Sequence, residues 1–293
     1  VTTWTVAPPT FRLPDEVRLG AVRLQVADLA RSIDYYERVI GLRTLDRTAT
    51  TARLGVKDDG ATLVELHERK GVAPVPRRGR LGLYHFAILL PDRAALGRLL
   101  AHLSALGGHV GMADHLVSEA LYLTDPDGLG IEVYADRPRD SWRVEGSTLA
   151  MASDPLNVPE LLRAAGGVAW TGAPRGTRIG HVHLYVADLN AATSFYHSAL
   201  GLDRVVLEFP GAQFFSAGGY HHHVGTNTWA AGAPRPADTD ARLLEWTMHV
   251  PAQADVEAAV KSLAGAGNAV GREAGDALAT DPWGTPVRIS AAG

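Results

Sequence analysis

The sequence predicts an α+β fold assembled from four strand–helix–three-strand (βαβββ) modules, paired into two domains. Three observations carry that prediction. Gly20–Leu42 aligns without gaps on Gly180–Leu202, and ten of the 23 aligned residues are identical, Val-Ala-Asp-Leu and the closing Gly-Leu among them. A second unit, opening at Leu83–Pro91, returns at Leu243–Pro251 with the same offset of 160 residues. Both of these units close with a Thr-Asp-Pro-x-Gly turn, Thr124–Gly128 and Thr280–Gly284, ahead of a last strand. Self-similarity at this scale marks one supersecondary unit used repeatedly.

Residues 1–14 hold Pro8, Pro9 and Pro14 and read as an extended arm. Alternation over Ala21–Val26 predicts a strand. Asp28 then stands where a helix N-cap belongs, and Leu29–Ile40 reads as a helix ended by Gly41. Strands follow at Thr51–Val56 and Ala61–His67, separated by the turn Asp58-Asp59-Gly60. Asp92–Leu106 is a second helix, closed by Gly107. The expected domains are residues 15–136 and 178–293, each built from two consecutive modules. Residues 137–177 read as a linker with a short helix at Val158–Ala165.

Composition excludes several function classes. The balance of 28 Lys and Arg against 32 Asp and Glu leaves a net charge of −4, so no polycationic footprint for nucleic acid exists. The basic run Arg77-Arg78-Gly79-Arg80 reads as a solvated loop. With no cysteine, thiolate metal sites, disulfides and cysteine nucleophiles are all absent, and any metal site must use nitrogen and oxygen. No apolar run approaches a membrane span and no signal-peptide layout opens the chain, so a cytoplasmic protein without a membrane partner is expected. Neither a phosphate loop nor a Gly-x-Ser-x-Gly elbow occurs.

The most chemically loaded stretch is Gly218–Trp229, with His221, His222 and His223 in succession. If it is a strand, His221 and His223 share one face and His222 takes the other. The flanking Phe214, Phe215, Val224 and Trp229 argue for burial, and a buried imidazole needs a partner. Imidazoles are common metal ligands and acid–base groups.

Four such modules, with Ala-Asp-Leu helix starts and Asp-Pro-x-Gly turns, resemble the vicinal oxygen chelate superfamily of glyoxalase I, bleomycin-resistance proteins and extradiol dioxygenases. Leu83–Asp92, Val117–Arg137 and Gly218–Trp229 look like its two-domain catechol 2,3-dioxygenase-like branch. The resemblance covers the chain from about Leu19 to Ser290. It implies that each domain closes into a cupped mixed sheet with helices outside, and that ligands from first and last strands converge on a metal in the cup.

Carried onto this sequence, the resemblance implies a metal held in the C-terminal domain by His181, His223 and Glu245, with Arg288 standing where the family usually has a glutamate. Glu65, His85 and Glu132 form the alternative set in the N-terminal domain, where His115 offers a further nitrogen. His221 or His222 would serve as acid–base catalyst. Tyr220, Trp246 and His249 would contact substrate, with Phe214, Trp283 and Tyr185 as further lining candidates. The implied activity is extradiol cleavage of a small catechol-type aromatic by O2, with a divalent metal: Fe(II) foremost, Mn, Ni or Zn as alternatives. A glyoxalase-type isomerase or epimerase, or a binding protein of the bleomycin-resistance kind, is the alternative. Open sheet edges leave room for a homodimer.

Overall fold

The computed structural model describes residues 4–57, 59–146 and 148–292, so Asp58 of the expected turn and the first three residues of the arm lie outside the described residues. The four modules are present. The first runs through strand Arg18–Val26, a helix over Leu29–Ile40 and strands Arg43–Arg47, Thr51–Gly55 and Thr62–Glu68. The second has Gly82–Leu89, helix Arg93–Leu106, then Gly111–Asp114, Ser118–Thr124 and Gly130–Asp136. The third has Arg178–Tyr185, a helix over Leu189–Ala199, then Asp203–Phe209, Ala212–Ser216 and Val224–Asn227. The fourth has Arg242–Val250, helix Gln253–Gly265, then Val270–Glu273, Asp276–Thr280 and Pro286–Ala291.

Local chemistry starts and stops the helices. Asp28, Asp92 and Asp188 each accept a hydrogen bond from the amide three residues on, at 2.9, 2.7 and 2.6 Å. The fourth helix begins at Ala252, which has no capping oxygen. Asp255 reaches back to its amide at 2.9 Å instead. Gly41 and Gly107 end their helices in the left-handed conformation that a side chain disfavours.

The strands pair across modules in an order the repeat does not announce. They form two curled eight-stranded sheets, one from the first and fourth modules and the other from the second and third. Arg18–Val26 lies antiparallel to Arg242–Val250, and Gly82–Leu89 lies antiparallel to Arg178–Tyr185. The expected grouping of consecutive modules, 15–136 and 178–293, is therefore corrected. After Glu68 the chain does not fold back on its own sheet. Residues 69–81 carry it across to the other, held by Ala73 N to Thr239 O at 2.8 Å, Val75 N to Asp127 O at 2.8 Å and Leu81 N to Pro234 O at 2.9 Å.

Between the second and third modules, residues 137–177 do more than link. The helix Val158–Ala164 packs on Arg93–Leu106 so closely that a Cβ on Gly97 would meet the Leu161 carbonyl at 2.3 Å. Asp114 and Asp154 exchange backbone hydrogen bonds of 2.9 Å, which draws Met151 and Ser153 over the second sheet. One hydrophobic cluster, with Phe86, Ile131, Val182, Trp246 and Ile289 among its members, runs through both sheets.

Two matched latches join the sheets. The Tyr36 hydroxyl donates to Asp125 Oδ2 at 3.2 Å, and Tyr196 donates to Asp281 Oδ2 at 2.9 Å. In each case Oδ1 accepts two amides of its turn, from Asp127 and Leu129 or from Trp283 and Thr285. Burial pushes Asp125 up to about 7, against the lowering effect of those amides. Its folded-state value thus lies above the unfolded one. The stability it adds is complete below about pH 4 and is lost as pH rises through 7. Urea unfolding between pH 4 and 7 should show the wild type losing stability relative to Asp125→Asn, which keeps the acceptor for the two turn amides without a titrating group.

Candidate metal centre

Strand register fixes what faces the inside of the second–third sheet. Arg178–Tyr185 sets His183 opposite His85 and His181 opposite Ala87, while the parallel strand Gly130–Asp136 sets Glu132 beside Ala87. A bulge between His183 and Leu184 leaves Tyr84 without a pairing partner in that register.

The result is a convergence of three side chains from three strands. His85 Nε2 lies 3.0 Å, and His181 Nε2 3.3 Å, from the same oxygen, Glu132 Oε2. The candidate donor atoms all lie within 4.8 Å of one another, and the residues are only 2–3 % exposed. Neither nitrogen of His85 has a hydrogen-bond partner, because the 3.0 Å approach to Glu132 is misaligned for one, and His181 Nδ1 also lacks one. Buried polar atoms without partners are costly and call for an occupant. Burial brings the His181 imidazole down to about 4, outweighing the neighbouring Glu132. Burial alone would raise Glu132, yet the facing His181 and His85 rings hold it well below the usual carboxylate range. A neutral His181 imidazole and an ionised Glu132 are the protonation states in which these groups ligate a divalent cation.

The surrounding cavity, about 240 Å³, is walled by Tyr84, Phe209, Phe214 and Trp229 on its aromatic side. Tyr122 and His115 form a polar patch: His115 Nδ1 donates to Ala152 O at 2.6 Å, so its Nε2 accepts from the Tyr122 hydroxyl at 2.6 Å. His115 is thus committed to hydrogen bonds rather than to the candidate triad. His183 Nε2 accepts from Asn227 at 3.0 Å. Its ring lies flat on Gly225, where a Cβ would come within 2.9 Å of it. His222 also lines the cavity, its ring centroid 4.0 Å from that of His181. Burial, with the neighbouring imidazoles, keeps His222 well below its ordinary value.

Several expectations are corrected here. Residues 221–223 are not a strand; the strand starts at Val224, because Gly218 and Gly219 both adopt left-handed conformations and turn the chain. The three imidazoles consequently diverge. His222 faces the cavity, whereas His221 turns to Asp136 at 2.9 Å. His223 Nδ1 accepts from the Ala217 amide at 3.2 Å and lines a different cavity, with Arg139 and Arg178. Register places Gly225, not His223, at the position matching Glu65, since Arg23 pairs with Glu65 as His183 pairs with Gly225. Tyr220 bonds to Tyr134 and Asp136 outside the aromatic cavity.

Glu245, Glu65, Trp246 and His249 all belong to the other sheet. There Arg288 grips Glu245 at 2.7 and 3.1 Å, and Arg23 binds Glu65 at 3.0 Å and reaches Glu245 at 3.6 Å. His67 foremost, with Arg23, brings Glu65 down to about 2 against the effect of burial. Guanidinium groups thus balance the inward carboxylates of the first–fourth sheet, where the second–third sheet sets imidazoles beside Glu132. Trp246 is wholly buried core, and His249 packs at Gly20. Of the two expected ligand sets, the structure brings together His181 from one with His85 and Glu132 from the other.

A family model for the Glyoxalase/Bleomycin resistance protein/Dioxygenase superfamily matches residues 18–133 and 178–288. The chain belongs to that superfamily. It is 42% identical over 260 residues to the catechol-2,3-dioxygenase of Bacillus subtilis (strain 168), across 87% of this chain and 90% of the relative. Among solved structures, a Bacillus subtilis protein provisionally described as a dioxygenase superposes with a TM-score of 0.64 at 15% identity, covering 96% of this chain and 86% of that one. Glyoxalase I from Zea mays gives a TM-score of 0.54 at 20% identity, covering 94% and 92%. These two likenesses speak for the fold: two curled sheets made of four modules.

Placing a methyl group under the His183 ring tests how tightly the cup is packed. Gly225→Ala should destabilise the chain by about 1–3 kcal/mol in urea unfolding, the usual cost of overpacking a close contact.

Proposed function

We propose that this superfamily member is a metal-dependent extradiol dioxygenase that opens a catechol-type aromatic ring with O2. The observation that carries the reading is the buried His85–Glu132–His181 convergence, with its partnerless imidazole nitrogens, beside an aromatic-walled cavity. Likeness to the Bacillus subtilis catechol-2,3-dioxygenase over most of both chains supports the reaction class. The proposed ligands are His85, Glu132 and His181, which replace the set His181, His223 and Glu245.

The donor set fits a divalent ion of intermediate softness, and Fe(II) is the metal that makes most of two imidazoles and one carboxylate. Bound there, the ion would supply a Lewis-acid centre with open positions for substrate oxygens and O2. The chain's own residues do the rest. Phe209, Phe214 and Trp229 offer flat apolar surface to an aromatic ring and exclude water. His222, neutral by burial and 4.0 Å from the His181 ring between centroids, is placed to take a hydroxyl proton from the substrate at a ring nitrogen. The Tyr122 hydroxyl, held by His115, orients at the same wall.

Metal analysis and an oxygen electrode test the reading together. After anaerobic loading with Fe(II), the wild type should consume O2 with a catechol and form a yellow ring-opened product. His85→Ala, His181→Ala and Glu132→Ala should each lose bound metal and activity. Glu245→Gln and His223→Ala should keep the metal. His222→Ala should keep it too while kcat falls by about 10²–10⁴-fold, the usual worth of a general base. Turnover that persists without O2 would overturn the dioxygenase assignment in favour of an isomerase. Retention of metal by the three ligand variants would overturn the site.

A further inference from the structure

We propose that Asp136 is a positioning residue: through His221 it fixes which ring nitrogen of His222 carries the proton, so that a bare lone pair is left for the cavity. The inference rests on the proposed function only in taking His222 as the base.

Asp136 closes the strand that carries Glu132, and residues 132, 134 and 136 alternate onto one face. Its Oδ1 accepts from two groups, His221 Nε2 at 2.9 Å and the Tyr220 hydroxyl at 3.2 Å. Tyr134 in turn pairs with the Tyr220 oxygen at 2.6 Å. A carboxylate has no proton to give, so the partner nitrogen of His221 must be its N–H.

The next link follows from counting protons. His221 Nδ1 stands 2.7 Å from His222 Nδ1, a distance that accommodates one hydrogen between two nitrogens. If His221 carries one ring proton, held on Nε2 by Asp136, its Nδ1 accepts and His222 donates from Nδ1. His222 Nε2 is then unprotonated, and no group among the described residues hydrogen-bonds to it. Water offers little competition, since His221 is fully buried and His222 is 5 % exposed. The His221 ring is further clamped by Tyr220, Trp142 and Tyr134, with centroids 4.1, 5.5 and 5.8 Å away. The tautomer of a histidine is set by the bond its other nitrogen makes. Here that bond is anchored through His221 on Asp136, a carboxylate outside the lining of the aromatic cavity.

The test is spectroscopic first and kinetic second. In full-length, ¹⁵N-histidine-labelled, Zn(II)-loaded protein, long-range ¹H–¹⁵N correlations should show His222 protonated on Nδ1, its signals assigned by their absence in His222→Gln. Asp136→Ala should shift His222 toward the Nε2–H form. With Fe(II), kcat should fall by about 10²-fold or more, while KM and metal content hold, and Asp136→Glu should recover part of both signals. An Nε2–H tautomer in the wild type would overturn the proposal without any variant. So would a tautomer that Asp136→Ala leaves unchanged, or a loss confined to KM or to folding. If the wild type turns over no catechol, the dioxygenase reading fails while the spectra still decide the role of Asp136.

Discussion

The antiparallel pairing of Gly82–Leu89 with Arg178–Tyr185 is the constraint on which the candidate site depends. It sets His183 against His85 and His181 against Ala87, and parallel pairing then brings Glu132 to the same level. Each ligand candidate comes from a different strand, so no local segment can form the site alone. Ladder hydrogen bonds hold the strands in a register that cannot slip by one residue without sending every side chain to the other face. The geometry of the cup is thus a property of the sheet rather than of loops.

The first–fourth sheet is an informative counterpart. At matching positions it carries Glu245 for His85 and Arg288 for Glu132, with Arg23 where His183 stands. Carboxylates that face inward in a curled sheet need positive charge nearby. One sheet meets this need with fixed guanidinium groups, Arg288 also reaching Glu273 and Asp276 at 2.6 and 3.2 Å. In the other, the His181 and His85 rings face Glu132 and hold its carboxyl well below the usual range. The same scaffold supports two electrostatic solutions, and one of them leaves no vacancy for an ion.

The modules, their helix caps and most strands were legible because they rest on local signals: Asp at the N-caps, Gly at the helix ends, and a repeat with a constant offset. Module pairing was not, because hydrogen bonds between first strands leave no trace in the periodicity of either strand. One clue was present in hindsight. Neither consecutive pair of modules offers two imidazoles and a carboxylate at these register positions, whereas the second and third together offer His85, His181 and Glu132. The histidine triplet misled for a different reason: two glycines in left-handed conformations turned a presumed strand into a bend, which spread three imidazoles over three environments. Tyr84, Met151, Ser153 and Asp136 escaped notice, since a bulge, a crossing segment and a strand end announce themselves only in three dimensions.

Residues 69–81 and 137–177 have a consequence for how this architecture can be divided. The first crosses between the sheets and the second joins the two modules that share the second–third sheet, so a polypeptide cut within residues 137–177 would carry His85 and Glu132 on one fragment and His181 on the other. Either half would have to recruit a second polypeptide, its own twin included, before three donors could meet. Continuous translation of both halves removes that dependence on concentration.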